Sequence, residues 1–143
     1  MAGPARRGKR GQAQAPAALV LGSEGLSKAA AGDPWVVAWI ARARELQLPL
    51  VVNAVTLTET IRGGGRDARV HLLTKNAHID VVDPSFATEA GRMLGHMPRN
   101  DTVHALVATT AIRLNRPTTI LTSDPRDLQS LTNEHPLVRV VSI

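Results

Sequence analysis

The chain has 143 residues, a net charge of +5 at neutral pH and 43% hydrophobic residues, a size and composition suited to one domain with its own core. It has no cysteine, which excludes disulfide frameworks and thiolate metal sites and favours a cytoplasmic protein. The short apolar run after the basic start reaches Ser23 and Glu24 too soon for a secretory signal or a membrane span.

The positive charge is concentrated at the start of the chain. Four of the 17 basic side chains lie in residues 1–17, which leaves 13 basic against 12 acidic side chains in residues 18–143. Residues 1–17 are rich in Gly, Ala, Pro and Arg without periodicity, so we expect a disordered basic tail. Such an arm can bind nucleic acid through its phosphates, and plain disorder without a partner is the alternative. The folded domain is predicted to span residues 18–143.

The domain opens with a buried strand followed by helices. Residues 18–21 are uniformly apolar and end at Gly22, which is typical of a strand covered on both faces. A short helix is predicted at residues 25–31, and Asp33 followed by Pro34 predicts a second helix start. Apolar side chains then recur at helical spacing, which favours a role in the core over a partner-binding surface. These side chains are Trp35, Val36, Trp39, Ile40 and Ala43.

The middle of the chain repeats this alternation. Strands are predicted at residues 50–52 and 79–82, and between them Thr56 and Glu59 match a capping box that opens a helix. That helix is predicted to run out at the glycines of residues 63–65. These glycines follow a helix, so they are not the loop of a dinucleotide-binding motif. Two further helices are predicted at residues 67–75 and 84–94.

The last part of the chain predicts a helix at residues 101–114, a strand at 119–122, a helix that begins at Asp124 and Pro125, and a strand at 137–143. Alternating strands and helices imply right-handed crossovers and a mainly parallel, five-stranded sheet. The predicted architecture is a three-layer α/β/α sandwich. In such sheets, ligands bind outside the carboxyl ends of the strands, where the strand order changes direction.

Three carboxylates are predicted at that edge of the sheet: Glu59, Asp101 and Asp124. Each has a structural explanation, because each can cap or support the first turn of a helix. Together they would repel one another unless a cation lay between them. Oxygen ligands without Cys or His suit Mg²⁺ or Mn²⁺, and the chemistry that follows is metal-assisted hydrolysis of a phosphodiester.

Polar residues flank these acids. Thr122 and Ser123 offer hydroxyls to a ligand water or a phosphate, although such residues are ordinary at a strand end. His104 lies one helical turn after Asp101, and a surface or packing role is favoured for it. Three arginines close to the acids are candidates to hold an RNA backbone, with a solvated surface as the alternative. These arginines are Arg62, Arg99 and Arg126.

The segments NDTVHALVATTA (residues 100–111) and ILTSDPRDL (residues 120–128) resemble a PIN domain, in particular a VapC-type toxin ribonuclease of a type II toxin–antitoxin system. They are similar to the family's aspartate-headed helix and to its strand that ends in T-x-D with a second acid three residues later. The helix with Thr58 and Glu59 matches the family's second acidic position. The resemblance covers about residues 18–143.

The resemblance implies a PIN-like nuclease that hydrolyses RNA with Mg²⁺ or Mn²⁺, pairs with a small antitoxin and forms a homodimer. It implies that Glu59, Asp101 and Asp124 are catalytic, metal-binding acids, with Asp127 as an outer member or a cap. The helix with Trp35 is a candidate to hold the antitoxin. A phosphoacceptor domain of the receiver type fits poorly, because paired acids early in the chain and a lysine after a late strand are missing.

The first motif departs from the family. Members usually close the first strand with an aspartate, in a pattern like L-x-L-D-x, and this chain has Gly22 at that position. Loss of an anionic ligand should weaken metal binding severely, and Glu24 compensates only if the turn after the strand bends it inward. Two hypotheses follow. The chain is an endoribonuclease impaired at Gly22, or it is a catalytically dead PIN domain that only binds its antitoxin or RNA.

Overall fold

The computed structural model describes residues 17–97 and 101–143. Its five strands are β1 (Ala18–Leu21), β2 (Leu50–Asn53), β3 (His78–Asp80), β4 (Thr118–Thr122) and β5 (Val138–Ser142). Its helices are α1 (Ser23–Ala30), α2 (Pro34–Glu45), α3 (Ala54–Thr60), α4 (Asp67–Thr74), α5 (Pro84–Leu94), α6 (Thr102–Arg113) and α7 (Pro125–Thr132). The tail predicted at residues 1–17 lies, except for Ala17, outside the described residues. None of these helices combines the length and apolar character that crossing a membrane requires.

The five strands form one parallel sheet in the order β3-β2-β1-β4-β5. The central strand β1 is fully buried, and its last residue, Leu21, pairs with Val52 of β2 and Leu121 of β4. The chain adds β2 and β3 on one side of β1 and then β4 and β5 on the other side. The strand order therefore changes direction between β1 and β4, and the carboxyl ends of these two strands are where such sheets bind ligands.

Helices cover both faces of the sheet. Leu19 and Leu21 of β1 pack with apolar residues of α1, α2 and α4, and Val20 packs on the other face with residues of α6 and α7. This division follows from the alternation of side chains along a strand. Phe86 of α5 packs against Leu106 of α6 in a smaller cluster. The predicted three-layer α/β/α sandwich with a five-stranded sheet is confirmed.

Aspartate caps followed by proline start two of the helices. At the start of α2, Asp33 accepts hydrogen bonds from the backbone N–H groups of Trp35 at 3.0 Å and Val36 at 3.1 Å. At the start of α5, Asp83 accepts one from Phe86 at 2.8 Å. A cap of this kind contributes about 1 kcal/mol to stability. The helix start predicted at Asp33 is confirmed.

The capping box predicted at Thr56 and Glu59 is wrong. The N-cap of α3 is Asn53, whose side chain accepts a hydrogen bond from the N–H of Val55 at 2.9 Å. The hydroxyl of Thr56 donates to the backbone carbonyl of Asn53 inside the helix. The pattern misled because Asn53 ends a buried strand and caps the helix at once, so the helix begins three residues earlier than predicted.

The core role predicted for Trp35 is also wrong. Val36, Ile40 and Ala43 are buried, but Trp35 is 57% exposed and packs edge-on against the ring of Trp39, with the centroids 6.3 Å apart. Consecutive residues of an α-helix are rotated by about 100° around its axis. The stripe of Val36, Ile40 and Ala43 faces the sheet, and Trp35, one residue earlier, turns towards solvent.

Candidate functional site

A cavity of about 170 Å³ lies at the carboxyl ends of β1 and β4, where the strand order changes direction. We call it the switch-point cavity. Its lining comes from α1 and the residue before it, from α3, from α6 and its N-cap, from the end of β4 and the residue after it, and from α7. The lining residues are Gly22, Ser23, Glu24, Glu59, Asp101, Val103, His104, Val107, Thr122, Ser123 and Leu128.

The predicted acids divide around this cavity. Glu59 and Asp101 line it, whereas Asp124 is not among its lining residues. Asp124 is the N-cap residue of α7, but its carboxylate makes no capping hydrogen bond, and its backbone N–H donates to the hydroxyl of Thr122 at 3.0 Å. Asp127, expected as an outer member or a cap, is not a lining residue either, but it is the acid after β4 whose carboxylate groups with Asp101.

A compact group of ligand atoms is formed by Asp101, His104 and Asp127, with one atom from each within 4.8 Å of the others. Nδ1 of His104 is 3.0 Å from Oδ2 of Asp101 and 3.6 Å from Oδ2 of Asp127. The three side chains are partly buried, and Asp127 is only 17% exposed. Nδ1 itself is buried and makes no hydrogen bond to the described residues, because Oδ2 of Asp127 is too far away and Oδ2 of Asp101 is out of line with the N–H direction.

His104 is the site residue that sequence reasoning undervalued. The expected surface or packing role gave it no place in the site, whereas the structure brings it to the cavity wall beside Asp101. The available signal was its spacing, because residues three apart share a helix face. The absence of a Cys or His pattern with metal-ligand spacing drew attention away from it.

Asp101 combines a capping role with a place in the cavity. Its Oδ1 accepts a hydrogen bond from the backbone N–H of His104 at 3.0 Å, and its Oδ2 faces the ring of the same residue. Deeper in the fold, the buried amide of Asn53 donates to the hydroxyl of Thr110 at 3.1 Å. This bond fixes α6 against the end of β2. The position of Asp101 therefore depends on the packing of its whole helix.

Glu59 is held from the turn after β1. Its carboxylate accepts a hydrogen bond from the hydroxyl of Ser23, which directly follows Gly22. Glu24 is exposed in the first turn of α1 and also lines the cavity. Ser23 was missed as a site residue, and its position two residues after the end of a buried strand was the signal that marked it.

Gly22 has room for a side chain. Its φ of −78° and ψ of −177° describe extended backbone that any residue adopts. A Cβ atom at this position would meet only the carbonyl oxygen of Leu121, at an ordinary contact distance of 3.9 Å. Gly22 is also the N-cap of α1 and supplies no side-chain cap. The backbone therefore does not require glycine here, and a Cβ atom is accommodated without strain.

The arginines predicted to contact RNA have different surroundings. Arg62 is exposed, and its Nη1 donates to two backbone carbonyls at the end of α3, at 2.8 and 2.7 Å. Arg126 is exposed in the first turn of α7. Arg99 lies outside the described residues. Of the two described arginines of this set, Arg62 binds the backbone at a helix end through its guanidinium, and Arg126 does not.

Asp67 secures the loop after α3. The hydrogen bond from the backbone N–H of Arg62 is the main cause that holds the pKa of Asp67 below its ordinary value, and the one from Gly63 acts in the same direction. The carboxylate is therefore ionised at neutral pH and holds the segment that follows the helix of Glu59.

A larger cavity, of about 490 Å³, lies between the ends of α5 and α7. Its lining contains one carboxylate and two imidazoles but no group of close acidic side chains. The switch-point cavity is therefore the candidate site. The larger cavity is lined by Met93, His96, Met97, Ser130, Leu131, Asn133, Glu134 and His135.

Comparison of the sequence with protein-family models and with curated proteins gives no match. Among solved structures, a chain of VapBC2 from Rickettsia felis, bound to a DNA fragment from their promoter, is similar with a TM-score of 0.65 and 11% sequence identity. The match covers 87% of this chain and 98% of that chain. A chain of FitAB bound to the IR36 DNA fragment has a TM-score of 0.61 and 16% identity, over 87% of this chain and 94% of that chain.

The fold is PIN-like. Both similarities extend over nearly the whole domain, so the fold that the sequence resemblance implied is confirmed. At these identities the similarity establishes the fold, and the activity has to be argued from the site.

Proposed function

We propose that the chain is a divalent-metal-dependent endoribonuclease of the PIN-domain toxin type, with RNA as its substrate and a small antitoxin as its partner. One observation carries this proposal. Glu59 and Asp101 line a single cavity at the switch point of a PIN-like sheet, and Asp127 lies within reach of Asp101 through His104. Acidic side chains grouped at this point of an α/β sheet indicate a ligand-binding site, because such sheets bind their ligands here.

The donor set of the cavity fits a divalent cation. Asp101, which lines the cavity, and Asp127, whose carboxylate lies close to it, would hold the ion, because like charges this close are tolerated best with a cation between them. Glu59 lines the same cavity as Asp101. Carboxylate oxygens suit Mg²⁺ or Mn²⁺. When bound, such an ion orients a scissile phosphate and lowers the pKa of an attacking water.

The side chains around the acids account for the rest of the chemistry. The hydroxyl of Ser23 orients the carboxylate of Glu59, which is then placed to accept a proton from water. The hydroxyls of Thr122 and Ser123 lie on the cavity wall, where they donate to phosphate oxygens. Exposed Arg126 contacts the RNA backbone from the first turn of α7.

Gly22 lowers the activity of this site. Gly22 lines the cavity without contributing a carboxylate, and Glu24 is the acid that α1 contributes to the lining. A cavity with one anion fewer binds a divalent cation less tightly. We therefore expect weak metal-dependent cleavage by the chain and stronger cleavage by Gly22→Asp.

The antitoxin is proposed to bind α2. The exposed ring of Trp35 and the half-buried ring of Trp39, with Ala38 and Arg42, line a shallow hollow of about 240 Å³. Aromatic side chains beside an arginine are the residue types that dominate binding energy in protein interfaces. VapBC2 and FitAB were solved as complexes with DNA, which is in keeping with an antitoxin partner. The homodimer implied by the resemblance belongs to the same proposal.

A second candidate function is a PIN-like domain that binds its antitoxin or RNA without catalysis. Gly22 favours it, because the position that would supply the leading acid of the site carries no side chain.

Cleavage of a fluorogenic RNA in Mn²⁺, in Mg²⁺ and with a chelator tests the proposal. Gly22→Asp should cleave the RNA at least about tenfold faster than the unchanged chain, and Asp101→Asn in the same background should abolish cleavage. Gly91→Asp, which adds the same charge on the exposed face of α5, is the control. If neither the chain nor Gly22→Asp cleaves while both bind the RNA, the second candidate is correct.

A further inference from the structure

We infer that Nδ1 of His104 is a direct ligand of the cavity metal, so that the site selects a borderline transition metal such as Zn²⁺, Co²⁺ or Mn²⁺ over Mg²⁺. The inference rests on the proposed function only for the presence of a metal in the switch-point cavity. The other two ligands are Asp101 and Asp127, which gives a donor set of two carboxylates and one imidazole.

The spacing of the three ligand atoms fits a shared ion. Two atoms that are each about 2.1 Å from one metal lie about 3.0 Å apart at a right angle and about 3.4 Å apart at the tetrahedral angle. The Nδ1 of His104 is 3.0 Å from Oδ2 of Asp101 and 3.6 Å from Oδ2 of Asp127. The three side chains therefore need only small adjustments to coordinate one cation.

The unsatisfied nitrogen of the imidazole favours coordination over an ion pair. A histidine that serves only to neutralise two acids would aim its N–H at one of their oxygens. In His104 the nitrogen lies close to both carboxylates and hydrogen-bonds to neither, and it is buried without another partner in the described part of the chain. Buried polar atoms rarely stay unsatisfied, and a metal between the three groups would satisfy this one.

The fold holds His104 in this arrangement. Asp101 caps α6 through the backbone N–H of His104, so the carboxylate and the imidazole are fixed to each other by one helical turn. The bond between Asn53 and Thr110 ties the same helix to β2. Ligands supplied by a rigid helix are already in place before the ion arrives, which favours binding.

The donor atoms of the three ligands determine which metal ion the site binds most tightly. Imidazole nitrogen is a common ligand of Zn²⁺, Co²⁺ and other transition metals, whereas Mg²⁺ requires oxygen and binds mainly through anionic groups and water. Gly22 removes a potential anionic oxygen from the cavity, and His104 adds a neutral nitrogen. Both differences act against Mg²⁺.

Metal binding by three proteins tests the inference: the unchanged chain, His104→Ala and His78→Ala. His78 is the matched control, because it is exposed at the start of β3, at the amino end of the sheet. Calorimetric titration should show one Zn²⁺ or Co²⁺ per chain, bound at least about tenfold more tightly than Mg²⁺. His104→Ala should weaken Zn²⁺ and Co²⁺ binding by at least about tenfold, and His78→Ala should leave it unchanged.

Pulsed electron paramagnetic resonance of the Mn²⁺-loaded chain provides the direct signature. Modulation from an imidazole nitrogen should be present in the chain and in His78→Ala and lost in His104→Ala. Circular dichroism establishes that the variants are folded, and His104→Asn replaces His104→Ala if the latter is not.

Unchanged metal affinity and an unchanged nitrogen signal in the His104 variant overturn the inference, as does absence of metal binding by the unchanged chain. The first result leaves the proposed nuclease function in place, and Gly22→Asp tests that function separately by RNA cleavage. Conversely, His104-dependent metal binding without any RNA cleavage would leave the metal site standing and reject the nuclease.

Discussion

Gly22→Asp is the substitution for which the structure makes the clearest prediction. The backbone of Gly22 is extended, and a Cβ there meets only the carbonyl oxygen of Leu121 at 3.9 Å. The new carboxylate enters the lining of the cavity near Glu59 and Asp101. We therefore expect the stability of the variant to depend on metal much more strongly than that of the unchanged chain.

The magnitude follows from two opposing effects. Without metal, two like charges about 5 Å apart repel by about 0.8 kcal/mol in water and by about 3 kcal/mol at an effective dielectric of about 20. Aspartate at the N-cap of α1 returns a few tenths of a kcal/mol. For this partly open cavity we expect a net loss of about 1 kcal/mol, which lowers the melting temperature by about 3 to 4 °C.

Bound metal should make Gly22→Asp more stable than the unchanged chain. Losing even an outer partner of a metal ligand weakens binding by about 10- to 100-fold, so restoring a direct ligand should raise affinity by about 100-fold. At a Mn²⁺ concentration about equal to the Kd of the unchanged chain, the ion stabilises that chain by about 0.4 kcal/mol and Gly22→Asp by about 2.7 kcal/mol. The melting temperature of the variant should therefore rise by about 8 °C more.

Scanning calorimetry with and without Mn²⁺ measures both effects. Gly91→Asp is the control, since its added charge lies on an exposed helix with open space around the Cβ. The reasoning is refuted if Mn²⁺ raises the melting temperatures of Gly22→Asp, Gly91→Asp and the unchanged chain equally.

Three further predictions concern other parts of the molecule. Asn53→Ala removes the cap of α3 and leaves the buried hydroxyl of Thr110 unpaired, so it should lower the free energy of unfolding by about 2 to 4 kcal/mol in urea titrations; a loss below about 0.5 kcal/mol would contradict the anchoring role. Because the pKa of Asp67 is lowered on folding, its contribution to stability is present above its ordinary pKa and lost as the pH falls through its folded value. Asp67→Asn should thus be less stable than the unchanged chain at about pH 7 and equal to it at about pH 2, and a difference independent of pH would argue against this cause. Trp35→Ala should change stability by less than about 0.5 kcal/mol but weaken antitoxin binding by about 30-fold or more, as measured by calorimetry with the purified antitoxin; unchanged affinity would remove α2 from the interface.

The layers and the inner strands were predictable because burial on both faces makes an inner parallel strand a short apolar run. The sequence ALVL at β1 shows this pattern, and all four of its residues are buried. Asp33 followed by Pro34 gave a helix start for an equally local reason, a side-chain cap that depends only on neighbouring residues. Features of this kind are encoded in a few consecutive residues, so sequence reasoning recovers them.

The orientation of the side chains around the site was harder to predict from the sequence. Asp124 and Asp127 lie three residues apart, and which of them reaches Asp101 depends on the backbone path between β4 and α7. Likewise, the contact of His104 with Asp127 joins two helices that are distant in sequence. Tertiary packing determines such contacts, and no local sequence pattern predicts them.

The proposed nuclease requires a divalent metal bound at the switch-point cavity. Anomalous diffraction from crystals of the chain equilibrated with Mn²⁺ locates such an ion without reference to activity. We expect one strong peak at the cavity, within coordination distance of Asp101 and Asp127. A structure with Mn²⁺ bound elsewhere and no peak in this cavity would contradict it.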